Sequence, residues 1–176
     1  MEIADISIKE VERIIRVDHA GERGAICIYK SQRFIARFFY KDMVVQLDEM
    51  LEHEKEHFDT FNYWLVSNQV RHCHALWLWS LGGYVLGFIT ALLGRKAIWV
   101  CTEAVESTVL HHLEWQLNFL AQHDLNAHKA VLSIKADEEQ HHDLGSLNGS
   151  SAMIYFPIKF IVKYSTKFAI WLSTKL

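Results

Sequence analysis

Two stretches of this sequence repeat each other in residue type and spacing. Glu54-Lys55-Glu56-His57 and Glu138-Glu139-Gln140-His141 each offer a carboxylate and, three residues later, an imidazole. On a helix that spacing sets both side chains on one face, one turn apart. A lone Glu precedes each pair at the same distance: Glu22 lies 32 residues before Glu54, and Glu106 lies 32 residues before Glu138. Adding 84 to each position of the first set (22, 54, 57) gives the second (106, 138, 141). Four carboxylates and two imidazoles gathered at one point have the charge and the donor atoms to hold two divalent cations. Oxygen ligands with one imidazole per metal suit iron or manganese, whereas thiolates would favour zinc or iron–sulfur clusters.

Bringing the six residues together requires four helices in two pairs, each pair giving one Glu and one Glu-x-x-His. That inventory forms the di-iron carboxylate site of ferritin-like bundles. The expected fold is therefore all-α: a ferritin-like four-helix bundle with extra apolar helices that contact a membrane. One domain over residues 1–176 is expected, with pseudo-twofold halves at 8–68 and 95–144, an apolar helix at 75–94 and a C-terminal amphipathic helix at 152–175.

A rival motif overlaps the first pair. His53-Glu54-Lys55-Glu56-His57 is literally H-E-x-x-H, the pattern in which two His bind zinc and the Glu serves as general base of a hydrolase. It leaves Glu22, Glu106, Glu138 and His141 unexplained and offers no clear third ligand.

Composition supports long helices. Half of the 176 residues are hydrophobic, with six Trp, ten Phe and six Tyr, one Pro and eight Gly. A net charge of −3 gives no reason to expect nucleic acid as a partner. Cys27, Cys73 and Cys101 are far apart and read as packed thiols rather than a disulfide framework. Met1–Asp5 is acidic and shows neither the basic-then-apolar pattern of a signal peptide nor an Arg-rich transit sequence.

Along the chain, Ser7-Ile8-Lys9-Glu10 reads as a capping box for a first helix over about 8–38. Asp18 lies one turn before Glu22, where it is either a hydrogen-bond acceptor near the site or a surface charge. A second helix runs over about 41–68, and 69–74 is a connection. The uncharged run 75–94 is long enough to cross a bilayer. A crossing would separate the halves of the repeat, so a core or interfacial helix is expected there. Its Gly83-x-x-x-Gly87 permits close helix contact, within or between chains. A fourth helix, about 95–122, carries Glu106, with Glu103 read as surface and His111 and His112 on a polar face. Asp124 is a candidate N-cap for a helix over about 127–144. Asp137 and His142 neighbour the putative ligands, and 145–151 reads as a loop. In the last segment Lys159, Lys163 and Lys167 form a basic stripe on an aromatic helix, which suits an anionic membrane surface or a docked helix.

Several stretches together resemble the demethoxyubiquinone hydroxylases of ubiquinone biosynthesis, a branch of the ferritin-like di-iron proteins. They are Arg16-Val17-Asp18-His19-Ala20-Gly21-Glu22, Gly87 through Gly94, Cys101 through Glu106 with His111-His112, and Glu138 through Gly145. The resemblance spans nearly the whole chain. It implies metal ligands, and catalysis through the di-iron centre, at Glu22, Glu54, His57, Glu106, Glu138 and His141, with Glu54 and Glu138 contacting both irons. It implies an O2-dependent monooxygenase with two iron ions, a polyprenyl benzoquinone or quinol substrate and an external reductant such as NADH, because no flavin or nicotinamide fingerprint is present. It further implies peripheral attachment to a membrane surface. For a bacterial form this is the cytoplasmic face of the inner membrane. A homo-oligomer or a partner protein of ubiquinone biosynthesis is left open. A ferritin-like iron oxidase or storage protein would use the same six ligands.

Overall fold

The computed structural model describes the backbone of residues 2–175 and the side chains of residues 6–175. Six α-helices account for nearly all of it, and no strand occurs among the described residues. They are α1 (Glu2–Phe39), α2 (Val44–Ser67), α3 (Leu76–Leu92), α4 (Arg95–His123), α5 (Leu125–Asn148) and α6 (Phe156–Ser173). The acidic stretch Met1–Asp5, read above as free of a leader, falls on side chains outside these bounds.

Helices α1, α2, α4 and α5 form the bundle, with α1 paired to α2 and α4 paired to α5. Each half then adds one apolar helix on the outside of its first member: α3 lies along α1, and α6 lies along α4. Two hydrophobic clusters fill the bundle. Val11, Ile14, Phe61, Leu113, Leu120 and Ile134 belong to one, and Ile26, Tyr29, Leu47, Met50, Ile98 and Trp99 to the other. On every bundle helix the repeat residues, six in all, fall between these clusters, so the polar cluster sits mid-bundle with apolar packing above and below.

Local chemistry sets the boundaries. Helix α1 starts before Ser7, so the Ser7–Glu10 box lies inside the helix and not at its N-terminus. A 3-10 turn, Lys41–Met43, links α1 to α2 and buries Met43. Gly94 takes φ +109 between α3 and α4, a conformation that side chains with a Cβ rarely adopt. The Asp124 side chain accepts from the N–H groups of Asn126 and Ala127, both at 2.8 Å, and caps α5 as expected. Pro157 sits in the first turn of α6, where its missing N–H costs nothing.

Of two glycine-based expectations, one is corrected and one is met within the chain. The segment 145–151 is not a loop at its start, because α5 runs on to Asn148. Gly145 is there for proximity: a Cβ on it would lie 2.6 Å from the Glu103 nitrogen and 3.0 Å from the Trp99 carbonyl, where α5 presses on α4. Gly83 and Gly87 likewise serve contact within the chain. A Cβ on either would overlap a carbonyl oxygen of α1, that of Gly24 or Ile28.

Helix α3 is both core and surface. Gly83, Gly87, Thr90 and Ala91 are buried on α1, while Trp77, Leu81, Val85, Phe88 and Leu92 are exposed. Helix α6 is more lightly seated: of its side chains only Val162 and Ser173 are buried. Glu103, expected at the surface, accepts from Lys159 Nζ at 2.6 Å and ties α6 to α4. No described helix is long and apolar enough to cross a membrane.

Candidate metal centre

All six repeat residues meet at the middle of the bundle, and all are at most 5 % exposed. Glu22 comes from α1, Glu54 and His57 from α2, Glu106 from α4, and Glu138 and His141 from α5. They form two overlapping groups, Glu22–Glu54–His57–Glu138 and Glu54–Glu106–Glu138–His141, each with its ligand atoms within 4.8 Å of one another. Glu54 and Glu138 belong to both. His57 Nδ1 lies 3.1 Å from Glu138 Oε1 and 3.9 Å from Glu22 Oε2. His141 Nδ1 lies 3.1 Å from Glu54 Oε1 and 3.9 Å from Glu138 Oε2.

The outer nitrogen of each imidazole is held by a neighbour. His57 Nε2 donates to Asp137 Oδ2 at 3.0 Å, since a carboxylate can only accept. Its Nδ1 lone pair is thereby turned into the cluster. His141 Nε2 meets His53 Nδ1 at 3.1 Å, and the two rings stack with centroids 5.3 Å apart. His53 Nδ1 in turn lies 4.0 Å from Asp137 Oδ1. Asp137 thus holds His57 directly, while His53, with Asp137 nearby, holds His141. Opposite them, the Tyr29 hydroxyl donates to Glu106 Oε1 at 2.7 Å.

The electrostatics of the cluster are unbalanced without a cation. Burial first, then the neighbouring carboxylates Glu54 and Glu138, push Glu22 far above the usual carboxylate range. Glu106 is raised by burial and by Glu138 and Glu54, and Glu138 by burial and Glu54. Burial also acts on Glu54, but His141 and His57 outweigh it and hold Glu54 low. Burial disfavours charge on His141, yet Glu54 and Glu106 raise its pKa. Among the described residues no Lys or Arg pairs with any of the four Glu. The inward atoms Glu54 Oε1, His57 Nδ1, Glu138 Oε2 and His141 Nδ1 have no hydrogen-bond partner. Buried polar atoms left so are costly, and two divalent cations would satisfy them and balance four carboxylates. The residues present therefore fit a pair of oxygen- and imidazole-seeking metal ions.

The H-E-x-x-H alternative does not assemble. His53 turns its Nδ1 to His141 instead of converging with His57, and it joins neither group of candidate ligands. Asp137 stands where the sequence suggested, whereas His142 faces Asp143 at the surface. His111 is exposed, and His112 lines a cavity. The bracing roles of His53 and Tyr29 were missed. The i, i+4 spacing of His53 and His57 carried a faint signal for the first; nothing in the sequence marked the second.

That cavity, about 500 Å³, runs from Glu22, Glu54, Glu106 and Glu138 outward between α1, α3, α4 and α6. Its walls are almost entirely apolar, including Ile28, Trp79, Leu86 and Val105. It reaches exposed side chains of α3 and α6 such as Val85, Ile89, Ile161 and Phe168.

Comparison with known proteins agrees with this arrangement. Residues 9–173 match the family described as ubiquinone biosynthesis protein COQ7. A human relative, the mitochondrial NADPH-dependent 3-demethoxyubiquinone 3-hydroxylase, is 36 % identical over 181 residues, covering 100 % of this chain and 82 % of its own. The Caenorhabditis elegans protein of the same name is 36 % identical, covering 94 % of this chain and 90 % of its own. The 3-demethoxyubiquinol 3-hydroxylase of Rhodospirillum rubrum is 33 % identical, covering 94 % of this chain and 78 % of its own.

Proposed function

The chain belongs to the ubiquinone biosynthesis protein COQ7 family, and from that premise we propose that it hydroxylates the ring of a demethoxy polyprenyl benzoquinone or its quinol at a di-iron centre. It is a hydroxylase of ubiquinone biosynthesis, a monooxygenase. The observation that supports the di-iron reading best is the cluster of four buried carboxylates with two imidazoles whose free nitrogens point inward.

Glu22, Glu54 and His57 would hold one iron with Glu138, and Glu106, Glu138 and His141 the other with Glu54, so that Glu54 and Glu138 would serve both. Bound there, two iron ions would supply the redox chemistry for an O2-dependent ring hydroxylation, with water as the second product. The chain's own groups do the rest. Asp137 fixes the tautomer of His57, and His53 the orientation of His141. Burial and the charges of Glu106 and Glu54 hold the Tyr29 phenol well above its ordinary pKa, so it keeps its proton and keeps Glu106 oriented. The apolar cavity admits a prenylated ring and excludes bulk water from the cluster. An iron-storage protein has no need of such a passage, which favours an organic substrate.

The exposed aromatic and aliphatic side chains of α3 and α6, with Lys163 and Lys167 among those of α6, suit a peripheral seat on an anionic membrane. The cytoplasmic face of a bacterial inner membrane is the proposed side. The polyprenyl tail would then pass from the bilayer into the cavity mouth. The reductant is external; the mitochondrial relatives' names point to NADPH, where the family resemblance suggested NADH. A second copy or another protein of the pathway remains a candidate partner at the exposed apolar faces.

The deciding experiment loads the chain anaerobically with ferrous iron and adds O2, reductant and a short-tailed demethoxy benzoquinone. About two irons per chain and a ring hydroxylated with one atom of O2 are expected. Iron uptake without any ring hydroxylation would instead indicate an iron oxidase.

A further inference from the structure

Inside the apolar cavity one acidic side chain stands apart from the metal cluster. Asp18 lies one helical turn before Glu22 on α1 and forms part of the cavity wall. Its Oδ1 accepts from Gln116 Nε2 of α4 at 2.9 Å. Its Oδ2 is buried and has no partner, and neither has Gln116 Oε1. Gln116 is itself 1 % exposed. Asp18 enters no ion pair among the described residues. A carboxyl group so placed is expensive unless something arrives to use it.

Of the other polar groups of the wall, the Trp79 indole N–H is also buried without a partner and offers a donor to a second ring oxygen; two others are engaged. His112 takes the Trp115 indole N–H at 3.3 Å, and the Thr166 hydroxyl donates to the Val162 carbonyl at 2.9 Å. A benzoquinone ring brings two oxygens into this apolar space, and each needs a hydrogen-bond partner there. We propose that Asp18, held by Gln116, binds an oxygen substituent of the substrate ring through Oδ2 and so registers the ring against the cluster next to Glu22. This inference rests on the quinone reading of the substrate.

The chemistry of the group suits a ring that changes oxidation state. Burial raises the Asp18 pKa to about 7, and the Gln116 hydrogen bond offsets only part of that rise. Near neutrality both protonation states are populated. The acid form donates to a quinone carbonyl, and the carboxylate accepts from a quinol hydroxyl. An alkyl side chain would leave the ring oxygen unpaired.

The test measures binding on the anaerobic, iron-loaded chain by equilibrium dialysis, without turnover. Two probes are used: a demethoxy benzoquinone with one isoprene unit, and the equally prenylated arene lacking the ring carbonyls. Asp18→Leu should weaken binding of the quinone roughly 10- to 100-fold, the loss of one buried hydrogen bond, and leave the arene unchanged. Asp18→Asn, which keeps a donor, should recover part of the loss. Iron content should stay at the wild-type value in both, and in turnover KM should rise more than kcat falls. Equal weakening of both probes would make Asp18 structural and overturn the proposal. So would wild-type binding of the quinone by Asp18→Leu, or equal wild-type affinity for the two probes. If the wild-type chain binds neither probe, the quinone reading itself falls, and this inference with it.

Discussion

His57 and Asp137 come from different helices, 80 positions apart, and meet at 3.0 Å between Nε2 and Oδ2. The contact leaves His57 Nδ1 as the free nitrogen facing Glu138. Asp137 also lies 4.0 Å from His53 Nδ1, the atom that meets His141. Asp137→Ala should therefore lower iron affinity roughly 10- to 100-fold, with helical content unchanged. Competition against a ferrous chelator measures it, and an unaltered affinity would remove Asp137 from the site.

Removing a shared carboxylate has opposite effects on metal and on fold. Glu138→Ala and Glu54→Ala should each abolish hydroxylation with the helices intact. Glu138 is buried beside Glu54 with no Lys or Arg paired to it among the described residues, so Glu138→Leu should stabilise the metal-free protein by about 1–3 kcal/mol. The same variant should lose the rise in Tm that iron gives the wild type. A metal-free Tm below that of the wild type would show that Glu138 is already compensated.

Much of this site was legible because two physical constraints wrote it twice. Each half needs a Glu and a Glu-x-x-His at one depth of a helix pair, so Glu22, Glu54 and His57 reappear as Glu106, Glu138 and His141. His53 and Asp137 share one repeat position (53 + 84 = 137) but differ in type, and Tyr29 corresponds to Leu113, so none of the three repeats as a residue type; a lone charged or phenolic residue looks alike on a solvated face and beside a ligand. Gly145 misled for a related reason. Glycine marks both chain breaks and close backbone approach, and only the neighbour across the interface, here Glu103, tells them apart. Helix α3 read as core or interface because its hydrophobicity is nearly continuous; the glycines that face α1 decide which side is buried.

The metal-free protein should lose stability as pH rises from about 5 to 8. Glu22, Glu106 and Glu138 have pKa values raised by burial, so the folded chain holds protons that the unfolded chain has already released. Their protonated forms contribute fully below the unfolded value near 4.5, and that contribution fades as pH climbs toward the folded values. His141, raised by Glu54, acts in the same direction above 6.5. Glu54, held low, contributes above 4.5 and loses effect only at more acidic pH. Iron must displace these protons, so the gain in Tm on loading should grow over the same range. A metal-free Tm flat or rising with pH would contradict this account.

The α1–α3 contact makes a paired prediction from two glycines on one helix. Gly87→Ala would drive a Cβ into the Ile28 carbonyl and should destabilise by about 1–3 kcal/mol. Gly82→Ala meets nothing within 4 Å and should stabilise by up to about 1 kcal/mol through helix propensity. Thermal melts of the two variants decide it, and equal shifts would show that α3 does not rest on α1 through Gly87.

The last prediction concerns the membrane seat. Lys159 is occupied by Glu103, so the basic character of α6 toward a lipid surface rests on Lys163 and Lys167, both exposed beside Phe160, Tyr164 and Phe168. Near an anionic surface each lysine contributes about 1 kcal/mol. Reversing both charges, Lys163→Glu with Lys167→Glu, should weaken binding to anionic vesicles by tenfold or more. Binding to zwitterionic vesicles, which depends on the apolar side chains of α3 and α6, should change far less. Leaving Glu103 and Lys159 intact keeps α6 in place, so loss of attachment cannot be ascribed to an undocked helix. Sedimentation with the two vesicle types reads the difference, and equal binding of wild type and variant to the anionic ones would move the membrane contact away from this face of α6.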